Sequence, residues 1–179
     1  MKKAIQNYFE KMKEYPNYYA NEDFSDVSHE IKNKIDKGVM IIERKDETDV
    51  SIFEKEFGYK LPIEIERYIN LFWHPCITGY SNINESIVLF SVLKKEGDSS
   101  NDILFYKNNL ITMAKEWKKI GDIQKYIPIG WLGHSGGYVL YEVSSSKVFL
   151  ENKDVDGEVG DKPIANSLNE LLNNMEIRL

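Results

Sequence analysis

The segment from Tyr126 to Met175 constrains the fold more than any other part of this 179-residue sequence. It contains three short runs of β-branched and aromatic residues, separated by turns rich in Gly or Ser. We predict strands over Tyr126–Ile129, Tyr138–Val143 and Val148–Leu150. Short turns of this kind join neighbouring antiparallel strands, so the segment predicts a β-meander.

A capped helix is predicted to close this segment. Ser167 precedes Glu170 by three residues, which is the spacing of a capping box. The apolar residues that follow share one face of a helix, namely Leu168, Leu171, Leu172 and Met175. The sequence therefore predicts an amphipathic helix that begins after Ser167.

The rest of the chain alternates between helical and strand-like patterns. Apolar residues recur at helical spacing near residues 5–12, 28–36, 50–57, 62–72 and 103–120. The first of these helices is expected to end near Pro16, and the last carries Ile103, Tyr106, Leu110, Met113, Trp117 and Ile120. Strand-like runs occupy Val39–Ile42, Cys76–Tyr80 and Ile87–Leu93. Together these patterns predict an α+β fold, with helices packed on a mainly antiparallel sheet.

Composition narrows the class of protein. With 42% hydrophobic and 29% charged residues, the chain is expected to form a single domain over residues 1–179 without disulfide or metal support. Its net charge of −6 argues against binding nucleic acid through phosphate neutralisation, and favours a basic protein partner.

Cysteine use and hydropathy predict the compartment. Cys76 is the single cysteine, so no disulfide within the chain is possible and a reducing environment is favoured. The first residues lack the apolar core of a signal peptide, and no run approaches the roughly 18 apolar residues of a membrane span. We therefore predict a cytoplasmic protein that does not insert into a membrane.

Two motifs could indicate an enzyme. Residues 133–137 match G-x-S-x-G, which would make Ser135 a hydrolase nucleophile. A strand is predicted after this motif, where a nucleophile elbow requires a helix, so a hairpin turn is the favoured interpretation. Cys76 follows His74 by two residues and could form a thiol catalyst, but a small buried cysteine is the simpler interpretation.

Metal and cofactor signals are weak. The three histidines, His29, His74 and His134, lie far apart and lack the spacing of metal ligands. Asp154, Asp156 and Glu158 resemble the start of a calcium loop, but the glycine and the closing glutamate are out of register. We predict no metal and no cofactor.

An acidic run offers a candidate contact surface. Residues 151–161 hold five carboxylates against Lys153, a local charge of −4, and the carboxylates are Glu151, Asp154, Asp156, Glu158 and Asp161. One interpretation is a solvated loop; the other is an acidic patch that attracts a basic partner. Among the tryptophans, Trp131 is the best interface candidate because it borders a glycine-rich turn, whereas Trp73 and Trp117 have the spacing of core residues.

The sequence resembles the SUKH superfamily, and within it most resembles Syd and related bacterial immunity proteins. The resemblance begins in FEKEFGYKLPIEIERYINLFW (Phe53–Trp73) and continues through KNNLITMAKEW (Lys107–Trp117) and YIPIG (Tyr126–Gly130). It ends in YEVSSSKVFLE (Tyr141–Glu151) and PIANSLNELL (Pro163–Leu172). It therefore covers a core of residues 49–179, and leaves residues 1–48 as a helical N-terminal extension.

The resemblance implies a protein that acts by binding, with no catalytic residue to transfer and no small-molecule substrate. SUKH members resemble immunity proteins that neutralise a cognate toxin, often a nuclease, while Syd-like members associate with the cytoplasmic face of the SecY translocon. Both kinds of partner tend to be basic. We expect the contact to involve Glu151, Asp154, Asp156, Glu158 and Trp131. A hydrolase that uses Ser135 or Cys76 is the alternative from another class.

Overall fold

The computed structural model describes residues 1–15, 24–35, 40–97, 109–134 and 136–178. These ranges contain six helices and seven strands. The helices are α1 (Lys2–Met12), α2 (His29–Ile35), α3 (Ser51–Phe57), α4 (Ile63–Leu71), α5 (Leu110–Trp117) and α6 (Leu168–Asn174). The strands are β1 (Ile42–Glu43), β2 (Phe72–Trp73), β3 (Ile77–Tyr80), β4 (Ser86–Leu89), β5 (Tyr126–Leu132), β6 (Tyr138–Glu142) and β7 (Val148–Leu150).

The larger sheet has five strands in the order β3-β4-β5-β6-β7. Each strand is antiparallel to its neighbour, and the order in the sheet follows the order in the chain. A separate antiparallel pair is formed by β1 and β2. The predicted α+β class with an antiparallel meander is therefore confirmed.

Gly130 allows the central strand to pass close to its neighbour. The register of β5 with β6 shifts between Pro128 and Gly130, which marks a bulge. A Cβ atom at Gly130 would collide with the backbone oxygen of Val88 in β4. Glycine at this position thus lets the strand bend while it remains paired on both sides.

Helices cover both faces of the sheet. The rings of Tyr138 and Trp117 meet edge to face, with their centroids 5.8 Å apart, so α5 lies on the face that Tyr138 occupies. Because side chains alternate along a strand, Tyr141 points to the opposite face, where it lies close to Glu64 of α4. Val139, Leu140 and Tyr141 are all at most 1% exposed, so β6 is buried on both faces.

The outer edge of β3 is paired. The Tyr8 hydroxyl donates a hydrogen bond to the carbonyl of Thr78 and accepts one from its N–H, both at 2.9 Å. Two residues further along β3, the N–H and carbonyl of Tyr80 pair with the backbone of Glu176. The outward-facing backbone groups of this edge strand are therefore occupied by the first helix and by the C-terminal segment.

The opposite edge is also paired. Val148 of β7 forms a bridge with Ala165, and Glu151 forms one with Val159. The carbonyl of Leu150 accepts a hydrogen bond from Gly160 at 2.9 Å. The segment that follows β7 thus returns along its own edge, and neither edge strand offers an open ladder for a further strand.

The predicted start of α6 is confirmed, and its N–H groups have an additional acceptor that the sequence spacing did not indicate. Ser167 Oγ accepts the N–H of Glu170 at 2.9 Å. The Glu170 carboxylate accepts the N–H of Asn166, so the capping box is only half formed. Glu64 of α4 supplies the remaining acceptors, because its two oxygens bind the N–H groups of α6 residues 168 and 169 at 3.1 and 2.9 Å.

Glu64→Ala is expected to lower the free energy of unfolding by about 1–2 kcal/mol, because two N–H groups at the start of α6 lose their acceptor. Urea denaturation measures this loss. Glu66→Ala is the matched control, since Glu66 lies in the same first turn of α4, whereas the α6 N–H groups of residues 168 and 169 are bound by Glu64. Equal losses in the two variants would contradict a specific role for Glu64.

Three sequence predictions require correction. The strand predicted over Val39–Ile42 is wrong, since Ile42 alone of its described residues lies in a strand and Met40 to Ile42 are only partly buried. Phe72 lies in β2 rather than in α4, because the backbone turns extended at that residue. The first helix ends at Met12, earlier than the expected stop near Pro16. Val39, Pro16 and Asp36 themselves lie outside the described residues.

The helix predicted from Ile103 to Ile120 is also shorter. Asn109 has an extended backbone and α5 begins directly after it. At the other end α5 stops at Trp117, and Ile120 is 48% exposed, so it does not belong to the apolar stripe. Ile103 and Tyr106 lie outside the described residues. The remaining stripe, which includes Leu110, Met113 and Trp117, is buried as predicted.

Candidate protein-binding surface

Three connections meet at one end of the five-stranded sheet: the β3–β4 turn, the β5–β6 turn and the loop that follows β7. Lys153 in the loop forms an ion pair with Glu85 in the first turn, at 2.6 Å. Gly133 in the second turn donates its N–H to the carbonyl of Ser86 at 2.9 Å. These contacts bring residues that are 68 positions apart in the sequence onto one surface.

Glu151 holds this surface together from inside. Its carboxylate accepts the backbone N–H groups of Tyr138 and Gly157, each at 2.9 Å. The residue is only 7% exposed. Glu151 was expected to contact a partner, but its carboxylate is buried and already bound, so we assign it a structural role and remove it from the contact surface.

The loop after β7 is packed against the end of α5. Gly157 has a φ of +79°, which favours glycine, and a Cβ atom there would collide with the carbonyl of Ile120. Within the loop, Asn152 donates its N–H to the carbonyl of Glu158, and its side chain accepts the N–H of Asp154. The loop therefore has a defined backbone course rather than being an open connection.

Asp154, Asp156 and Glu158 project from this loop and are exposed; we call these three residues the acidic surface. Apolar side chains lie beside them. Val155 is 45% exposed in the same loop, Ile120 is 48% exposed where the loop packs, and Ile83 is 57% exposed in the β3–β4 turn. Exposed apolar residues rimmed by charges are typical of protein–protein contact sites.

Trp131 lines a neighbouring cavity of about 220 Å³, which we call the aromatic pocket. In the sheet, Trp131 is directly opposite Tyr138, so both rings lie on the face that α5 partly covers. The pocket is lined by Thr112, Met113, Glu116, Trp131, Gly136 and Tyr138. Trp131 is half-buried, whereas Trp73 and Trp117 are 7% and 0% exposed, which confirms that these two tryptophans belong to the core.

Two carboxylates lie close to the Tyr138 hydroxyl in the aromatic pocket. Burial raises the pKa of the Tyr138 hydroxyl, and the nearby carboxylates of Glu116 and Glu151 raise it further. Glu116 also forms an exposed ion pair with Lys119 at 2.6 Å. No sequence pattern marks Glu116 or Tyr138 as site residues, because only the packing of α5 on the sheet brings them beside Trp131.

The surroundings of His74 make it a poor catalytic base. His74 is fully buried between Phe9 and Tyr68, at ring distances of 5.7 and 5.1 Å, and its Nδ1 lies 2.7 Å from the carbonyl of Pro75. Burial lowers the pKa of His74 to about 4, which makes it a weak base for a thiol. Cys76 is half-buried rather than fully buried, and Ser135 lies outside the described residues.

Among the residues that the structure describes, no three His, Cys, Asp or Glu side chains are close enough to hold a metal ion. In the same part of the chain, no helix combines the length and the apolar character needed to cross a bilayer.

The chain matches no model of a known protein family. A search of the curated proteins also gives no match. The resemblance to the SUKH superfamily therefore stays a prediction that rests on the sequence motifs quoted for it.

Proposed function

We propose that this chain is a non-catalytic protein-binding module, and that it acts in the cytoplasm as an immunity protein of SUKH type. In this proposal it binds a cognate toxin that has a basic surface, and blocks the toxin by occluding that surface. The observation that carries the proposal is the acidic surface, three exposed carboxylates on an ordered loop with exposed apolar side chains beside them.

The covered sheet edges restrict how a partner can bind. Tyr8 and Glu176 occupy the edge of β3, and residues 159–165 occupy the edge of β7. A partner strand that joined the sheet would have to displace one of them. Docking through exposed side chains at the end of the sheet is therefore the favoured mode.

Charge complementarity favours a nuclease as the toxin. A nuclease must present lysine and arginine to phosphate groups, so the surface around its substrate is basic. An acidic protein that covers this surface neutralises it and excludes the nucleic acid. Cytoplasmic loops of SecY are also basic, so a Syd-like association with the translocon is the alternative partner in the same binding class.

Retention of a partner on immobilised protein tests the proposal. Wild-type chain is compared with Asp154→Asn/Asp156→Asn/Glu158→Gln and with a control of equal charge, Glu10→Gln/Glu30→Gln/Glu43→Gln, which changes exposed residues on other elements. We expect one protein to be retained by wild type and control but depleted on the first variant. That protein should arrest growth when expressed alone, and co-expression of this chain should restore growth.

Other outcomes would replace or overturn the immunity role. Retention of SecY in place of a toxin would replace the immunity role by the translocon-associated role. A retained protein that is harmless, or that binds all three chains equally, would overturn the assignment of an immunity function to the acidic surface. An empty column would refute the binding function.

The same triple variant should slow association with the identified partner. Loss of three like charges reduces long-range attraction, so we expect the association rate at low salt to fall by about tenfold. The difference should shrink at about 0.5 M salt, where screening is strong. Stopped-flow or surface-based kinetics measures both rates, and a rate that is unchanged at low salt would remove the acidic surface from the mechanism.

A further inference from the structure

The aromatic pocket has a shape and a chemistry that the acidic surface alone does not explain. Its volume of about 220 Å³ lies below the roughly 300–1,000 Å³ of typical small-molecule sites, but is sufficient for one long side chain. Its walls are the rings of Trp131 and Tyr138 and the flexible side chain of Met113, and it carries one half-exposed carboxylate, Glu116.

We propose that the aromatic pocket is a specificity site that receives one arginine side chain of the partner, with its guanidinium stacked on Trp131 and paired to Glu116. The inference rests on the proposed function, because it assigns the pocket to the same basic partner. Charge complementarity selects the occupant: a carboxylate in the pocket and the acidic surface nearby exclude an acidic side chain and favour a cation.

Arginine fits this pocket better than lysine does. Its planar guanidinium stacks on aromatic rings and binds a carboxylate through two parallel hydrogen bonds, whereas the ammonium of lysine is compact and strongly hydrated. The methylene groups of arginine would pack on Met113. The existing ion pair between Glu116 and Lys119 is no obstacle, because both side chains are more than half exposed and such pairs contribute little.

Gly136 keeps the pocket entrance open. It has a φ of +75°, and among the described residues other than its chain neighbours no atom lies within 4 Å of the place where a Cβ would project. At this position the turn therefore contributes only backbone atoms to the pocket. A side chain from a partner that enters beside Gly136 meets no side chain at this position.

The inference is tested on the isolated protein with N-acetyl-arginine-N-methylamide as the probe, and with the corresponding lysine and norleucine amides for comparison. Titration is followed by NMR at the indole N–H of Trp131, with the buried Trp73 as the internal reference. We expect saturable shifts at Trp131, with affinity decreasing from the arginine amide to the lysine amide to the norleucine amide. The affinity for the arginine amide should be at least about threefold above that for the lysine amide.

Two glutamate variants separate the pocket from general charge attraction. Glu116→Gln should weaken arginine binding about threefold to fivefold. Glu56→Gln is the matched control, because Glu56 is a half-exposed glutamate that pairs with Lys115 of α5 at 3.3 Å and does not line the pocket. Its affinity for the arginine amide should equal that of the wild type.

Equal shifts with the norleucine amide, no shift at Trp131, or equal binding by Glu116→Gln and wild type would each overturn the inference. These results are independent of the partner. If the arginine amide fails to bind while a toxin is still retained, the pocket assignment is wrong and the proposed function stands. If the amide binds and the column stays empty, the proposed function fails and the arginine pocket remains.

Discussion

Replacing Glu151 with alanine is expected to lower the free energy of unfolding by about 3 kcal/mol. Its carboxylate accepts hydrogen bonds from the N–H groups of Tyr138 and Gly157, and hydrogen bonds to charged groups contribute more than neutral ones. Alanine leaves both N–H groups without this acceptor. Glu151→Gln should also destabilise the protein, by about 2 kcal/mol, because its amide NH₂ would face one of two donors.

Glu158→Gln is the matched control for Glu151→Gln, since it removes the same charge from the same loop at an exposed position. Its effect on stability should stay within about 0.5 kcal/mol. Urea denaturation of the three variants at neutral pH measures the losses. If Glu151→Gln and Glu158→Gln were equally stable, Glu151 would not hold the loop, and its place in the contact surface would have to be reconsidered.

Stability is expected to fall on acidification because of His74. Its ring is fully buried, and burial lowers its pKa from 6.5 to about 4. The unfolded chain therefore takes up a proton as the pH falls through 6.5, whereas the folded chain does so only near pH 4. The stability that depends on a neutral His74 is fully present above pH 6.5 and is lost progressively down to pH 4. The loss amounts to about 3 kcal/mol over the whole window.

The position of the proton on the His74 ring suggests which substitution tests its role in the acid response. Because the carbonyl of Pro75 can only accept, Nδ1 carries the proton and donates it. His74→Asn places an amide nitrogen near the same carbonyl but has no group that titrates in this range. Between pH 7 and pH 5, we expect wild type to lose about 2 kcal/mol more than His74→Asn in urea denaturation.

His134→Asn serves as the control, because His134 is exposed in the β5–β6 turn. Carboxylates also titrate toward pH 5, but they are present in all three proteins and cancel in the comparison. A wild-type protein and His74→Asn that lose stability in parallel would show that the buried imidazole does not govern the acid response.

The meander and its closing helix could be predicted from the sequence because short-range patterns encode them. Strands β5 to β7 follow runs of β-branched and aromatic residues, and Gly136 supplies the positive φ in the turn between two of them. Ser167 caps α6 as its spacing indicates. The error at Val39–Ile42 falls where a short apolar run is compatible with more than one element. The other errors are misplaced ends of α1, α4 and α5, because periodicity locates a helix better than its boundaries.

The candidate surface could be predicted only in part. Asp154, Asp156 and Glu158 are exposed and clustered as an acidic patch requires, and Trp131 is the tryptophan that remains partly accessible. Composition cannot separate Glu151 from these neighbours, since all are acidic residues in one run. The difference is a backbone arrangement in which two N–H groups converge on one carboxylate.

By itself the sequence determined the fold class, the positions of most helices and strands, and the acidic character of one loop, because each depends on residues close together in the chain. Tertiary structure alone decided which acidic residue is buried, how Glu64 caps a helix 104 residues away, and that Glu116 lines a pocket with Trp131. These features depend on burial and on contacts between distant segments, which local periodicity does not encode.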